Sequence, residues 1–224
     1  MFFDAHLHNI NKESGGILVG LEGNPRFKGT LTNKEAIKLS TNNNNYIAFY
    51  YVVNNEINKK IEHRYLKYHP RREKYTPEDV IKSIILNKPR SVMIDTLNEP
   101  YWQSYDYWKI ARLFPNIIFI FPHSGGYLIN EFIKIAHFQT NVWIDFSLTH
   151  TNLGKFNDKF GLLYIQNAIK YALNSSFKKK ILLGSDYPFF SQKDVIRYYN
   201  NYINMLNENY IELIEVIKND TRNK

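Results

Sequence analysis

Short apolar runs rich in Phe, Ile, Val and Tyr recur along this chain, separated by longer stretches with apolar residues three and four apart. Phe2 to His8 reads as a first strand and Gly16 to Leu21 as a second, followed by a helix around Asn33 to Leu39. The asparagine run from Asn42 to Asn45 is a turn. Tyr46 to Val53 is strongly β-prone, and Arg64 to His69 is a fourth strand stopped by Pro70. Thr76-Pro77-Glu78-Asp79 supplies an N-cap, a proline for the first helical position and acids for the first turn, so a helix is expected up to Leu86. Further strands are expected over Arg90 to Asp95, Asn116 to Phe121, Asn141 to Phe146 and Lys180 to Leu183. Helices are expected over Ser104 to Phe114, Leu128 to Phe138 and Gly161 to Leu173, and then over Gln192 to Leu206 and Glu208 to Lys218.

Eight strands alternating with helices predict a parallel α/β sheet with crossovers, and the count of eight points to a closed (β/α)8 TIM barrel. The 224 residues are read as one compact domain, 1–224. That length is near the lower limit for the fold, so some βα units must be abbreviated; Asn54 to His63 is too short and polar for a full helix.

In such a barrel, functional groups sit at the C-terminal ends of the strands. His6 and His8 end strand one, Lys67 and His69 strand four, Asp95 strand five, His123 strand six and Asp186 strand eight. Strand alternation predicts one inward face through 4, 6, 8; 65, 67, 69; 91, 93, 95; 117, 119, 121, 123; and 182, 184, 186. Asp145 shares the inward parity of strand seven and is read as supporting the site by hydrogen bonding. Imidazoles and carboxylates without thiols suit a divalent metal, zinc first, with manganese or iron as alternatives. Such an ion lowers the pKa of a bound water and polarises a carbonyl, with an aspartate as general base and a histidine assisting the oxyanion or leaving group.

Composition sharpens this reading. The formal charge is +8, from 29 Lys+Arg against 21 Asp+Glu, but the basic residues are scattered and their clusters short, so nucleic acid is not expected as a partner. A basic surface instead favours a small anionic substrate. No apolar run is long enough to span a membrane, and the N-terminus lacks signal-peptide character. The absence of cysteine excludes disulfides and fits a cytoplasmic location. Aromatic-rich late helices are compatible with a homodimer.

Four motifs in order along the chain carry a resemblance: Asp4-Ala5-His6-Leu7-His8, Lys67-Tyr68-His69-Pro70, Phe121-Pro122-His123-Ser124-Gly125-Gly126 and Leu183-Gly184-Ser185-Asp186-Tyr187-Pro188. With them the chain resembles the amidohydrolase superfamily, in the amidohydrolase-related branch that includes aminocarboxymuconate-semialdehyde decarboxylase. The resemblance implies His6, His8 and Asp186 as metal ligands, Asp186 also as proton acceptor, and His123 as the catalytic histidine or, as in relatives with a second metal, a ligand. It implies a hydrolase acting on an amide, lactone or ester, with a non-oxidative decarboxylase, or a barrel that has lost catalysis and serves in binding, as the rivals.

One departure stands out. Relatives usually carry a ligating histidine at the end of strand five, where this chain has Asp95. Asp95 is therefore a candidate fourth ligand, which would tilt preference toward manganese or iron; a salt bridge with Arg64, Lys67 or Arg90 is the competing role. Lys67 is expected to remain unmodified and to bind a substrate carboxylate or carbonyl. His69 and Arg71, with Arg72, are candidates for an acidic substrate group, and Tyr101 and Trp102 for a pocket wall.

Overall fold

A computed structural model describes residues 2–10, 14–21, 29–97, 101–147 and 159–219. His150, read from the sequence as a loop residue, lies outside them. Eight parallel strands pair in chain order: β1 (Phe2–Leu7), β2 (Ser14–Val19), β3 (Tyr46–Tyr51), β4 (Tyr65–Tyr68), β5 (Ser91–Ile94), β6 (Ile118–Phe121), β7 (Val142–Asp145) and β8 (Ile181–Leu182). The seam between β8 and β1 is closed by backbone N–H groups of Ala5, Asp186 and His8, which donate to the carbonyls of Leu183, His6 and Tyr187 at 2.8, 2.8 and 2.7 Å. The result is the TIM barrel expected from the strand count.

The helices are α1 (Asn33–Asn42), α2 (Pro70–Glu73), α3 (Pro77–Asn87), α4 (Ser104–Leu113), α5 (Ile129–Phe138), α6 (Lys159–Leu173), α7 (Gln192–Tyr198) and α8 (Ile203–Asn219). Thr76 caps α3 through a reciprocal box with Asp79, as its sequence predicts. The fold saves length in two places: only six residues separate Leu7 at the end of β1 from Ser14 at the start of β2, and β3 reaches β4 through a single 3-10 turn at Asn54–Glu56. Pro70 does more than stop β4, since it opens the short helix α2. The last two helices divide around Asn200–Tyr202 rather than between Leu206 and Glu208. Asn207 and Asn209 lie inside α8 and pin it across the N-terminal end of the barrel. Asn207 accepts from the Phe3 N–H at 3.0 Å, and the Asn209 amide donates to the carbonyls of Lys178 and Ile181, both at 2.7 Å. No helix among the described residues is long and apolar enough to cross a membrane.

Ala5, Ile17, Val19, Phe49, Met93, Ile120, Trp143 and Leu182 fill the barrel interior, sealed below by Tyr210, Leu213 and Ile217 of α8. Val92, Ile94, Phe119, Phe121 and Ile144 face outward against Ile110, Phe132 and Ile165 of the helices. Each such apolar side chain contributes about 1.5–3 kcal/mol by leaving water.

Two strands depart from simple alternation. In β6, Ile118 and Ile120 point inward, whereas Phe119 and Phe121, expected inside, pack outward. The Phe121 ring lies edge-on to Tyr107 and Phe132 at 5.4 and 5.8 Å, and that aromatic packing fixes the strand's face. In β1, Asp4 pairs with Gly16 and Leu7 with Leu18, so β1 holds one residue more than β2 over this interval: a β-bulge. Ala5 faces the interior below the bulge and Leu7 packs outward above it, which turns His6 and His8 inward and leaves Asp4 on the opposite side from them.

The bulge presses β1 against β2. A Cβ on Gly16 would lie 2.0 Å from the Asp4 carbonyl oxygen. Gly16→Ala should therefore destabilise the protein by about 1–3 kcal/mol, seen as a lower urea midpoint. An unchanged midpoint would show that β1 can yield at this contact.

Candidate active site

A cavity of about 180 Å³ opens at the C-terminal end of the barrel, lined by His6, His8, Lys67, His69, Asp95, His123 and Asp186, with Leu21, Leu97, Arg71, Arg72, Phe189 and Phe190 toward its mouth. On one side stand the two β1 imidazoles. His8 Nε2 is 3.1 Å and His6 Nε2 3.6 Å from the same Asp186 oxygen. His8 Nδ1–H donates to the Val19 carbonyl at 2.9 Å, which turns the Nε2 lone pair to the pocket. His6 Nδ1 sits 3.3 Å from the Ser147 hydroxyl and 4.0 Å from Asp145. Its Nε2 is buried and has no hydrogen-bond partner. Burial, reinforced by Lys67, His8 and His123, holds the His6 pKa well below the ordinary histidine value, so the ring is neutral and its lone pair available.

Ligand atoms of His6, His8 and Asp186 lie within 4.8 Å of one another. Two imidazoles whose outer nitrogens are already committed, plus one carboxylate, form a donor set that fits a divalent ion. The buried, unpartnered His6 Nε2 is the strongest sign of that fit. A second group of the same kind joins His6, His123 and Asp145.

The loop after β8 brings Asp186 in with left-handed backbone (φ 63°). Gly184 makes this passage feasible, since a Cβ there would lie 2.8 Å from the His6 Cβ and 3.0 Å from that of Ser147. Burial works to raise the Asp186 pKa, but its hydrogen bond and proximity to His8 outweigh that and bring it below the usual carboxylate value.

The other side of the cavity is organised around Asp95. One of its oxygens is 3.2 Å from His123 Nε2, 3.6 Å from His69 Nε2 and 3.8 Å from Lys67 Nζ; the other accepts from the Leu97 N–H at 3.1 Å. Burial would raise its pKa, yet these basic groups hold it well below the usual range. Of the salt-bridge partners anticipated for Asp95, Lys67 is present, whereas Arg90 instead donates to the Lys218 carbonyl. Asp95 does not come within 4.8 Å of the ligand atoms of all three of His6, His8 and Asp186. His123 is also buried, but the attraction of Asp95 outweighs the burial and raises its pKa. His69 is pushed down to about 4, by burial first, and faces Asp95 as a neutral ring at pH 7.

His123 reaches the pocket through a turn, not through strand alternation. Residues 123–126 all have positive φ, two of them not glycine. The strain is held by the Ser124 hydroxyl donating to the Asp145 carbonyl at 2.5 Å and by the Gly125 N–H donating to the Thr96 hydroxyl at 2.7 Å. Asp145 accepts from the backbone N–H of Ser147 at 2.7 Å and of His123 at 3.2 Å, and from the Ser147 hydroxyl. Ser147 Oγ in turn lies 2.8 Å from His123 Nδ1. Ser147 was not singled out from the sequence, although it sits two residues past Asp145 on the same inward parity.

The structure brings Lys67, His69 and Arg71 to the cavity but not Trp102. Trp102 is buried in the core, its indole N–H donating to the Tyr75 carbonyl at 3.0 Å and its ring 5.2 Å from that of Tyr107. Tyr101 is exposed and does not line the cavity. Arg72, at the mouth, lies 4.9 Å over the Tyr51 ring.

The sequence profile of the Amidohydro_2 family, described as amidohydrolase, matches residues 87–207, a little over half of the chain. Similar solved structures include an uncharacterized TIM-barrel protein from Bordetella bronchiseptica, 14% identical, covering 92% of this chain and 79% of that one with a TM-score of 0.63. An amidohydrolase from Burkholderia multivorans, solved with HEPES bound, is 10% identical and covers 96% and 98%, with a TM-score of 0.61. A 5-carboxyvanillate decarboxylase from Sphingomonas paucimobilis is 9% identical and covers 91% and 78%, with a TM-score of 0.55. No curated protein matches the chain.

Two outcomes test this description. Trp102→Phe should cost about 1–3 kcal/mol, because it strands the buried Tyr75 carbonyl, as a lower urea midpoint would show. His69 is kept neutral in the fold down to about pH 4, whereas the unfolded chain protonates it near 6.5, so its burial costs stability as pH falls through that window. Relative to wild type, His69→Gln should gain stability between pH 6.5 and 4, by at most about 1.4 kcal/mol per pH unit. A pH-independent difference in urea titrations would contradict the neutral ring.

Proposed function

The chain belongs to the amidohydrolase family, and from that membership we propose that it is a metal-dependent hydrolase cleaving a C–N or C–O bond of an amide, lactone or ester in a small anionic substrate. The observation that carries the reading is the convergence of His6, His8 and Asp186 around a buried imidazole nitrogen with no partner. An ion held there, zinc first with manganese or iron as alternatives, supplies the charge that acidifies a water and polarises a carbonyl.

The chain's own residues do the rest. Asp186 serves as general base for the attacking water, its low pKa keeping it ionised. His123, clamped between Asp95 and Ser147, holds a proton beside the pocket for the carbonyl oxygen or the leaving group. Lys67, buried against Asp95, and Arg71 and Arg72 at the mouth draw in and orient an anionic group. Asp95 is assigned to holding His123 and Lys67 rather than to the metal, because its oxygens are already engaged.

Elemental analysis of protein purified without chelator should find bound divalent metal, and His6→Ala combined with His8→Ala should abolish both metal retention and turnover. His123→Asn should lower kcat/KM by about 10²–10⁴ while metal is retained. Activity would be sought on a panel of small lactones, amides and esters bearing a carboxylate, in ¹⁸O-labelled water. Full turnover by stripped protein would overturn the metal assignment. Carbon dioxide release without ¹⁸O incorporation would identify a decarboxylase instead.

A further inference from the structure

The three candidate ligands come from two strands, His6 and His8 from β1 and Asp186 from the end of β8, and their register depends on the bulge in β1. One side chain ties these parts together from outside the barrel. Asp4 is fully buried. One of its oxygens accepts from the backbone N–H of His6 at 3.1 Å and from that of Ser185 at 2.8 Å. The other accepts from the Ser185 hydroxyl at 2.5 Å and the Gln192 amide at 2.6 Å. Ser185 Oγ also accepts from the Tyr187 N–H at 3.0 Å, so the residues on either side of Asp186 are both tied into the network.

The bond to the His6 N–H is the informative one. Asp4 takes up a backbone donor inside the bulge, the irregularity that turns both imidazoles to the pocket. The same oxygen fixes the residue before Asp186. We infer that Asp4 is a positioning residue for the metal site: its carboxylate locks the β1 bulge to the β8 loop and so sets the spacing of His6, His8 and Asp186. This rests on the proposal that those three residues hold a metal. It gives the first aspartate of the Asp-x-His-x-His motif a task without contact with metal or substrate.

The test measures affinity of the full chain for zinc by chelator competition, and the visible absorption of the cobalt-substituted protein, for wild type, Asp4→Asn, Ser185→Ala and Trp102→Phe. Asp4→Asn should weaken zinc binding about 10–100-fold and shift the cobalt spectrum. Ser185→Ala, which removes only the hydroxyl, should weaken it about fivefold. Trp102→Phe, destabilised at a distance, should bind as wild type does, which separates positioning from general loss of stability. If Asp4→Asn does not fold, Ser185→Ala decides. Folded variants that bind zinc within twofold of wild type, with an unshifted cobalt spectrum, overturn the role of Asp4 alone. A wild-type protein that takes up neither ion overturns the metal reading, and Asp4's role with it.

Discussion

Two imidazoles two residues apart converge with the β8 carboxylate at the mouth of this barrel because strand β1 carries one residue more than its neighbour. Regular alternation would continue the inward series of Ala5 through Leu7 and send His6 and His8 outward. The bulge resets that series, and it exists only under two conditions. Gly16 must leave room for the Asp4 carbonyl, and the backbone N–H of His6 must find an acceptor. Burying the Asp4 carboxylate is unfavourable in itself, and its pKa remains raised, to about 7, even after its hydrogen bonds pull it down. Four donors offset part of that cost, and each of them belongs to β1, to the β8 loop or to α7. The polar cost is thereby spent on fixing the geometry of the site.

The cavity divides into two halves of different electrostatic character. Around His6, burial and neighbouring positive groups favour a neutral ring with an available lone pair, the state a metal ligand requires. Around Asp95, a buried carboxylate and its basic neighbours sustain one another, and His123 is held toward its charged form. Asp145 and Ser147 lie between the halves. Ser147 Oγ approaches Nδ1 of both His6 and His123, while Asp145 receives the Ser147 hydroxyl. One hydroxyl thus fixes the orientation of two rings with opposite protonation tendencies.

Much of this was legible in the sequence. The strand count, the capping signal at Thr76 and the polar residues at strand ends lead to the barrel and to the residues that converge in it. The failures have identifiable causes. Alternation placed Asp4 beside His6 and His8, because a bulge leaves no mark in hydrophobic patterning. It placed Phe119 and Phe121 inside because β6 is apolar at every position and has no period to read; aromatic packing with Tyr107 and Phe132 decided its face. Trp102 suggested a pocket wall by its position after β5, but its polar atom found a backbone acceptor in the core. The arrival of His123 by a left-handed turn reaches the same endpoint as the predicted strand parity by a different path.

The aspartate at the end of β5 becomes intelligible when Lys67 is considered with it. Lys67 is buried within the barrel, where its ammonium would be costly without a counter-charge, and burial already lowers its pKa. Asp95, at 3.8 Å, is its ion-pair partner, with Asp145 and Asp186 adding longer-range attraction. A histidine at position 95 would withdraw that partner and add a further base to a wall that already holds Lys67, His69 and His123. Asp95 and Lys67 are therefore best understood as one unit. In place of the histidine expected at the end of β5 stands a carboxylate that pairs with a buried lysine and raises the pKa of His123.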